Sequence, residues 1–234
     1  MKIIQKEIED WIKPFATIVG DKIEVDEKLK EENPFRYFLR LTIPDNFESY
    51  AIALHSFWIN NNISKEEIRE SNNDDEELPE EDFERVKWKD FYATRGKVFK
   101  LEKAYKSAKD FYNQFKQMNN ELFPGEGLMD KEHLNSLIEI VQRNYGNQEI
   151  EIFYTFLSTK DWEKDRIYKG KISDLNQLLD NEELRLTPSL IYSKDKNWVV
   201  NTDYDLSFSF IGGERKLIDE LVNRNEDEIF ELKY

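Results

Sequence analysis

Asp203 and Asp205 are the residues whose spacing most directly suggests chemistry. Two carboxylates that lie two residues apart on one strand point to the same side, and such oxygen ligands suit Mg²⁺ or Mn²⁺. Asn201 falls on the same side of the predicted strand, and Trp198 stands at its start. The candidate ligand-binding residues are therefore Trp198, Asn201, Asp203 and Asp205.

A second interpretation of these residues needs no ligand. The aspartates also fit an exposed strand face or a turn in which an Asp side chain accepts a backbone hydrogen bond. Trp198 shares its side of the strand with Val200 and Leu206, which favours a place in the core. The chain contains no G-x-G-x-x-G, no P-loop motif and no G-x-S-x-G, so we assign no catalytic residue, no metal ligand and no cofactor.

The histidines are His55 and His133, and they are not spaced as a metal-binding pair on one helix. His55 lies within an apolar run, which predicts a buried and hydrogen-bonded imidazole. His133 falls in the first turn of a predicted helix, where we expect it to be exposed. A Ser-His-Asp triad stays open, because its members meet in space and not in sequence.

The stretch 198–211 is the element that must position the candidate residues. Apolar and polar residues alternate along it, which predicts one long strand with one face in the core. Gly212 and Gly213 follow, and we predict that they form a turn with positive φ. Leu217, Ile218 and Leu221 then recur at helical spacing.

Further elements follow from the same patterns. Helical spacing predicts helices over 3–15, over 97–115 and from Asp130, as the N-cap, to Gly146. Alternation predicts strands over 149–157, 166–172 and 228–234, and an antiparallel hairpin of 35–43 with 48–59. This mixture predicts an α+β fold, with a mainly antiparallel or mixed sheet and helices packed against it, in a single domain spanning 1–234.

The charge of the chain limits its partners. Its 234 residues carry a net charge of -15, which disfavours binding to nucleic acid and to anionic membranes. Residues 64–85 contain eleven acids and three bases, a composition that predicts an acidic surface loop. Without cysteines, a signal peptide or a membrane-spanning apolar run, we expect a soluble, cytoplasmic protein.

Three stretches, 49–60, 86–99 and 187–213, resemble a group of bacterial proteins that have no assigned activity. The features they share are an aromatic strand and a D-x-D-L strand followed by Gly-Gly. The resemblance implies one unit but no activity, cofactor or site residue.

Acidic charge is also typical of a class of small, cysteine-free bacterial proteins, the immunity proteins that block basic toxins. Our hypothesis is a non-enzymatic, immunity- or antitoxin-like protein that binds a basic protein partner through its acidic surface. The alternative is an enzyme that uses a metal ion or a small ligand on the polar face of 198–211.

Overall fold

The computed structural model describes residues 1–16, 23–71, 82–104, 111, 113–224 and 228–233. These residues form eleven strands and six helices, and the fold is α+β, as predicted. The strands are β1 (Lys2–Ile4), β2 (Ser49–Leu54), β3 (Phe57–Asn60), β4 (Phe83–Val86), β5 (Glu121–Leu122), β6 (Glu149–Tyr154), β7 (Arg166–Lys171), β8 (Leu190–Ser193), β9 (Trp198–Asn201), β10 (Phe208–Gly213) and β11 (Ile229–Glu231). The helices are α1 (Lys28–Glu32), α2 (Pro34–Thr42), α3 (Trp88–Thr94), α4 (Lys131–Tyr145), α5 (Leu175–Leu179) and α6 (Arg215–Val222).

Two antiparallel sheets contain all the described strands. The large sheet has eight strands in the order β1-β7-β6-β8-β9-β10-β2-β11, and the small one has the order β4-β3-β5. The first and last described strands, β1 and β11, both belong to the large sheet. The single domain over 1–234 stays a prediction.

A hydrophobic core lies on each face of the large sheet. On one face, α4, α5 and α6 pack their buried aliphatic side chains against residues such as Ile152, Val200 and Ile211. On the other face, the N-terminal segment, α2 and α3 cover residues such as Leu190, Val199 and Phe210. Since adjacent residues of a strand point to opposite faces, the buried runs in β2, β8 and β9 are apolar except for one polar residue at an end of each strand, Ser49, Ser193 and Asn201.

The prediction of a helix that begins after Asp130 is confirmed. Asp130 stands at the N-cap of α4, and Gly146 ends the helix with φ 74°. The Asp130 side chain, however, does not cap the helix. It accepts a hydrogen bond from the Ser56 amide at 3.0 Å instead, so it joins α4 to the chain between β2 and β3.

The predicted hairpin of 35–43 with 48–59 is wrong. Residues 34–42 form α2, which begins where the Asn33 side chain accepts a hydrogen bond from the Arg36 amide at 3.1 Å. Pro34 supplies a helical φ at the first position, and together these residues start a helix in a segment that also alternates like a strand. The second predicted strand is divided into β2 and β3, which belong to different sheets.

The predicted single strand over 198–211 is also wrong, because the chain turns back after Asn201. β9 and β10 are antiparallel neighbours, and Phe210 pairs with Asn201. Gly212 and Gly213 lie inside β10 and do not form the predicted turn. A Cβ on Gly212 would lie 2.7 Å from Cδ2 of Phe47, so close packing and not a positive φ calls for glycine there.

Three further predictions need correction. Residues 2–4 form β1 and residues 13–15 a short 3-10 turn, in place of a helix over 3–15. Residues 97–100 are not helical, while 105–110 and 112 of the predicted 97–115 helix lie outside the described residues. The predicted acidic loop 64–85 ends in β4, and its residues 72–81 also lie outside the described part.

Candidate functional site

Buried polar side chains gather at one end of the large sheet. Because neighbouring strands run antiparallel, the C-terminal ends of β6 and β9 lie beside the N-terminal ends of β8 and β10. The chain places small polar residues at each of these ends, and they are all less than a tenth exposed. These residues are Thr155, Ser158, Ser189, Asn201, Thr202, Ser207 and Ser209.

Asp203 and Asp205 lie in the turn that joins β9 to β10. Oδ1 of Asp203 accepts a hydrogen bond from the Asp205 amide at 2.9 Å, which is the turn interpretation of the D-x-D pair. Gly127, with φ +70°, packs beneath this turn and donates its amide to the Leu206 carbonyl at 3.1 Å. Asp203 is half-buried and Asp205 is exposed, so the two carboxylates have different surroundings.

Two adjoining cavities lie at this turn. The inner cavity is about 50 Å³ in volume, and its polar lining residues are Thr42, Thr155, Ser189, Asn201, Thr202 and Asp203. The outer cleft is about 680 Å³ and lies between the turn, α2 and residues 23–27. Both are lined by Leu41, Thr42, Asp203 and Tyr204, so the two cavities are adjacent.

The outer cleft is acidic. Among the described residues that line it, the charged side chains are Glu24, Glu27, Asp203 and Asp205, and none is a lysine, arginine or histidine. Burial raises the pKa of Asp203 above its ordinary value, and repulsion from Asp205 and Glu126 acts in the same direction. Burial also raises the pKa of Tyr204 to about 12. A positive charge in this cleft would relieve the repulsion between these acids.

A lysine side chain of α1 lies against the cleft wall that α2 forms. The Lys30 ammonium lies 5.6 Å from the centroid of the Tyr37 ring, a distance at which a cation interacts with the face of an aromatic ring. The Tyr37 hydroxyl in turn donates to Oε1 of Glu27 at 3.0 Å. Both Tyr37 and Glu27 line the outer cleft.

The structure brings three of the four candidate residues to this site. Asn201 and Asp203 line the inner cavity, and Asp205 lines the outer cleft. Trp198 does not belong to the site. It is fully buried in the core beneath α4 and α6, and its indole N–H donates to Gln148 at 3.0 Å.

Sequence reasoning missed the other side chains of the site. Thr155 and Ser189 carry no motif, and no sequence signal relates them to Asn201. Glu24 and Glu27 are distinguished in sequence only by their charge. The Asn33-Pro34 pair was a usable signal, because it marks the start of α2, which forms one wall of the cleft.

His55 is buried and hydrogen-bonded, as predicted. Its Nδ1 lies 2.6 Å from the Gly125 carbonyl oxygen, and its Nε2 lies 2.9 Å from the Ser209 hydroxyl. Burial lowers the pKa of His55 from 6.5 to about 4, so the imidazole is neutral at pH 7. Both side chains of this Ser-His pair are fully buried, which keeps the Ser209 hydroxyl away from any substrate in this conformation.

His55 makes the stability of the protein sensitive to acid. The unfolded chain takes up a proton on this histidine below about pH 6.5, whereas the folded protein resists it down to about pH 4. Stability is therefore full above pH 6.5 and falls as the pH drops to 4, by on the order of 3 kcal/mol for this group. We expect His55→Gln to flatten the fall in unfolding free energy, measured by urea titration across this range. An equal fall in both proteins would contradict this assignment.

His133 is fully buried, which corrects the prediction that it is exposed. Its Nε2 lies 3.3 Å from the Arg85 guanidinium, whose Nε donates to Oδ2 of Asp130 at 3.1 Å. Asp130 also accepts hydrogen bonds from the amide and hydroxyl of Ser56. These contacts connect β4, α4 and the segment between β2 and β3, so we assign the cluster a structural role.

The described residues contain neither a metal-binding cluster nor a membrane-spanning helix. No group of three or more His, Asp and Glu side chains in that part of the chain is placed to hold a metal ion. No helix there combines the length and the hydrophobicity that crossing a bilayer requires.

Comparisons with models of known protein families, with curated proteins and with solved structures gave no match for this chain. The resemblance to bacterial proteins with an aromatic strand and a D-x-D-L strand therefore stays a prediction.

Proposed function

We propose that this protein is a non-enzymatic binding protein that holds a basic protein partner at its acidic cleft. An immunity- or antitoxin-like role in a bacterial cytoplasm, in which the protein covers a basic region of a toxin, is the most concrete form of this function. The observation that carries the proposal is the 680 Å³ cleft, whose described charged lining residues are all acidic.

Electrostatics supports a basic partner in two ways. The net charge of -15 attracts a basic protein over long range and speeds its encounter with the surface. Within the cleft, the carboxylates of Glu24, Glu27 and Asp205 are then available for ion pairs with lysine or arginine side chains of the partner. Such an interaction weakens as salt is added, because exposed charges are screened.

Neutralising the rim of the cleft tests this function. In a variant with Glu24→Gln, Glu27→Gln and Asp205→Asn, we expect the affinity for the partner to fall roughly ten- to a hundredfold, since three exposed ion pairs are lost. The tagged protein is incubated with lysate of its own organism at low and at high salt, and the captured proteins are identified by mass spectrometry. Wild type should retain a basic protein at low salt only, and the variant should retain little of it.

A matched control removes three charges elsewhere. Glu163→Gln, Glu182→Gln and Asp219→Asn change exposed acids that do not line the cleft, so this variant should capture as much partner as the wild type. Equal loss of partner capture in both variants would show that binding depends on the net charge of the protein and not on the cleft. Failure of the wild type to retain any basic protein at either salt concentration would contradict the function itself.

A metal- or small-ligand-dependent enzyme is the second candidate, because Asn201 and Asp203 line one cavity. A thermal-shift screen with divalent ions and metabolites separates it from the first. A stabilising metabolite that is then turned over would favour the enzyme.

A further inference from the structure

The hydroxyl groups beside the inner cavity have their protons directed away from it. Nδ1 of His55 donates to the Gly125 carbonyl, so Nε2 of this neutral ring is an acceptor. The Ser209 hydroxyl must therefore donate to Nε2, and the Thr202 hydroxyl must donate to Ser209, at 2.8 Å. Thr202, which lines the cavity, is left with acceptor capacity alone.

A second set of hydroxyls behaves in the same way. Thr155, Ser158 and Ser189 form a closed ring, with oxygen–oxygen distances of 3.2 to 3.4 Å. In such a ring each hydroxyl donates to the next, so all three protons are used within it. Ser189 also accepts the Thr155 amide at 3.2 Å, so both of its lone pairs are used, whereas the Thr155 hydroxyl, which lines the cavity, keeps one lone pair for a ligand.

Asn201 adds an acceptor that has no donor. The residue is 5% exposed, and its Oδ1 is a buried atom without a hydrogen-bond partner among the described residues. Buried polar atoms are nearly always hydrogen-bonded, so an atom of this kind in a residue that lines a cavity points to a missing donor. The carboxylate of Asp203 lies on the same cavity and indicates that this donor is positively charged.

The geometry favours an ammonium over a guanidinium group. A guanidinium pairs best with both oxygens of a carboxylate, but the Asp205 amide already uses one lone pair of Asp203 Oδ1, which leaves Oδ2 as the freer oxygen. An ammonium is compact and directs three N–H donors to separate acceptors. The volume of about 50 Å³ holds a few heavy atoms, and the apolar side chains of Leu41 and Phe15 at its wall suit an alkyl stem.

We propose that the inner cavity is a receptor for one primary alkylammonium group, held by Asn201, Asp203 and the acceptor oxygens of Thr202 and Thr155. This proposal rests on the proposed function for the source of the group, which is a lysine side chain that the basic partner inserts through the acidic cleft. A free small amine offers the same chemistry.

Titration with small amines tests the site without the partner. Wild-type protein labelled with ¹⁵N is titrated with n-butylammonium, with Nα-acetyl-lysine methylamide and with Nα-acetyl-arginine methylamide. We expect saturable shifts of the Thr155, Asn201 and Asp203 amide signals with both amines, and about tenfold weaker binding of the arginine compound. Absence of saturable shifts at these residues, or equal binding of the arginine compound, would overturn the proposal.

Two variants locate the binding. Asn201→Leu removes the acceptor at nearly constant volume, and Asp203→Asn removes the charge while keeping the oxygen that accepts from Asp205. Each should weaken amine binding about tenfold, because a hydrogen bond to a charged group is lost. If Asn201→Leu does not fold, Asp203→Asn decides alone, and undiminished binding by a folded variant would overturn the site.

Dimethylation of the partner's lysines distinguishes a partner lysine from a free amine as the source of the ammonium group. The modified lysine keeps its positive charge but has only one N–H left to donate. Loss of capture after dimethylation assigns the cavity to a partner lysine. Unchanged salt-dependent capture, together with saturable amine binding, assigns it to a free amine and leaves the proposed function standing. If no partner is captured at all, the proposed function fails, and the titration still decides the amine site.

Discussion

Alanine in place of Asp130 is expected to lower the free energy of unfolding by about 3 to 5 kcal/mol, because it removes the buried carboxylate to which the partly buried Arg85 guanidinium donates. The Asp130 side chain is 3% exposed and that of Arg85 is 17% exposed, so water cannot fully replace the lost carboxylate. Alanine would also deprive the Ser56 amide of its acceptor. The measurement is urea unfolding at neutral pH, followed by fluorescence.

Asp180→Ala is a matched control for this prediction. The Asp180 carboxylate is 72% exposed and lies 3.8 Å from the Lys131 ammonium, so its removal should cost less than about 1 kcal/mol. A loss below about 1 kcal/mol for Asp130→Ala as well would show that the Ser56, Arg85 and His133 cluster contributes little to the fold.

Phe57→Ala is expected to have an effect of similar size, about 3 to 5 kcal/mol, because it creates a cavity within a group of aromatic rings. Phe57 is fully buried and stacks on Phe91 with ring centroids 3.6 Å apart. Its edges also contact Trp88 and Phe123, at centroid distances of 4.9 and 5.8 Å. Urea unfolding would measure the loss.

Leu122→Ala provides the comparison, since Leu122 lies on β5 beside β3 and is 40% exposed. We expect it to cost well under the value for Phe57→Ala, because surface truncations leave no buried cavity. Phe57→Leu should fall between the two. Similar losses for Phe57→Ala and Leu122→Ala would mean that the small sheet is not held to α3 by its aromatic core.

Local sequence patterns were sufficient to predict an element when its own residues show a regular apolar spacing and mark its ends. Helix α4 combines apolar residues at helical spacing with Asp130 before it and Gly146 after it. Strands β6 and β7 lie within the stretches 149–157 and 166–172 that are predicted as strands. The spacing of apolar residues and the residues that start or stop a helix act over a short stretch of chain, so they can be recognised in the sequence without knowledge of tertiary contacts.

Local patterns gave wrong predictions where an alternation of apolar and polar residues fits more than one structure. Residues 35–43 alternate, yet Asn33 and Pro34 start α2 there, and the buried side chains Phe35 and Leu39 meet the sheet as one helical face. Along 198–211 the alternation continues across a turn that is set by the Asp203 side chain. Periodicity cannot report such a reversal, because the residues on both sides of the turn alternate in the same way.

For the candidate site, the sequence by itself determined the acidic character and the candidacy of Asn201, Asp203 and Asp205. Only the tertiary structure decided that Asn201 and Asp203 share a cavity with Thr155 and Ser189, and that Trp198 lies elsewhere. The reason is that the contacts are long-range. The Thr155 amide bonds a hydroxyl 34 residues away, and His55 pairs with a serine 154 residues away, at distances over which no local propensity acts. Pairing of the strands in the large sheet brings these residues to one end, and that pairing depends on burial of both faces together.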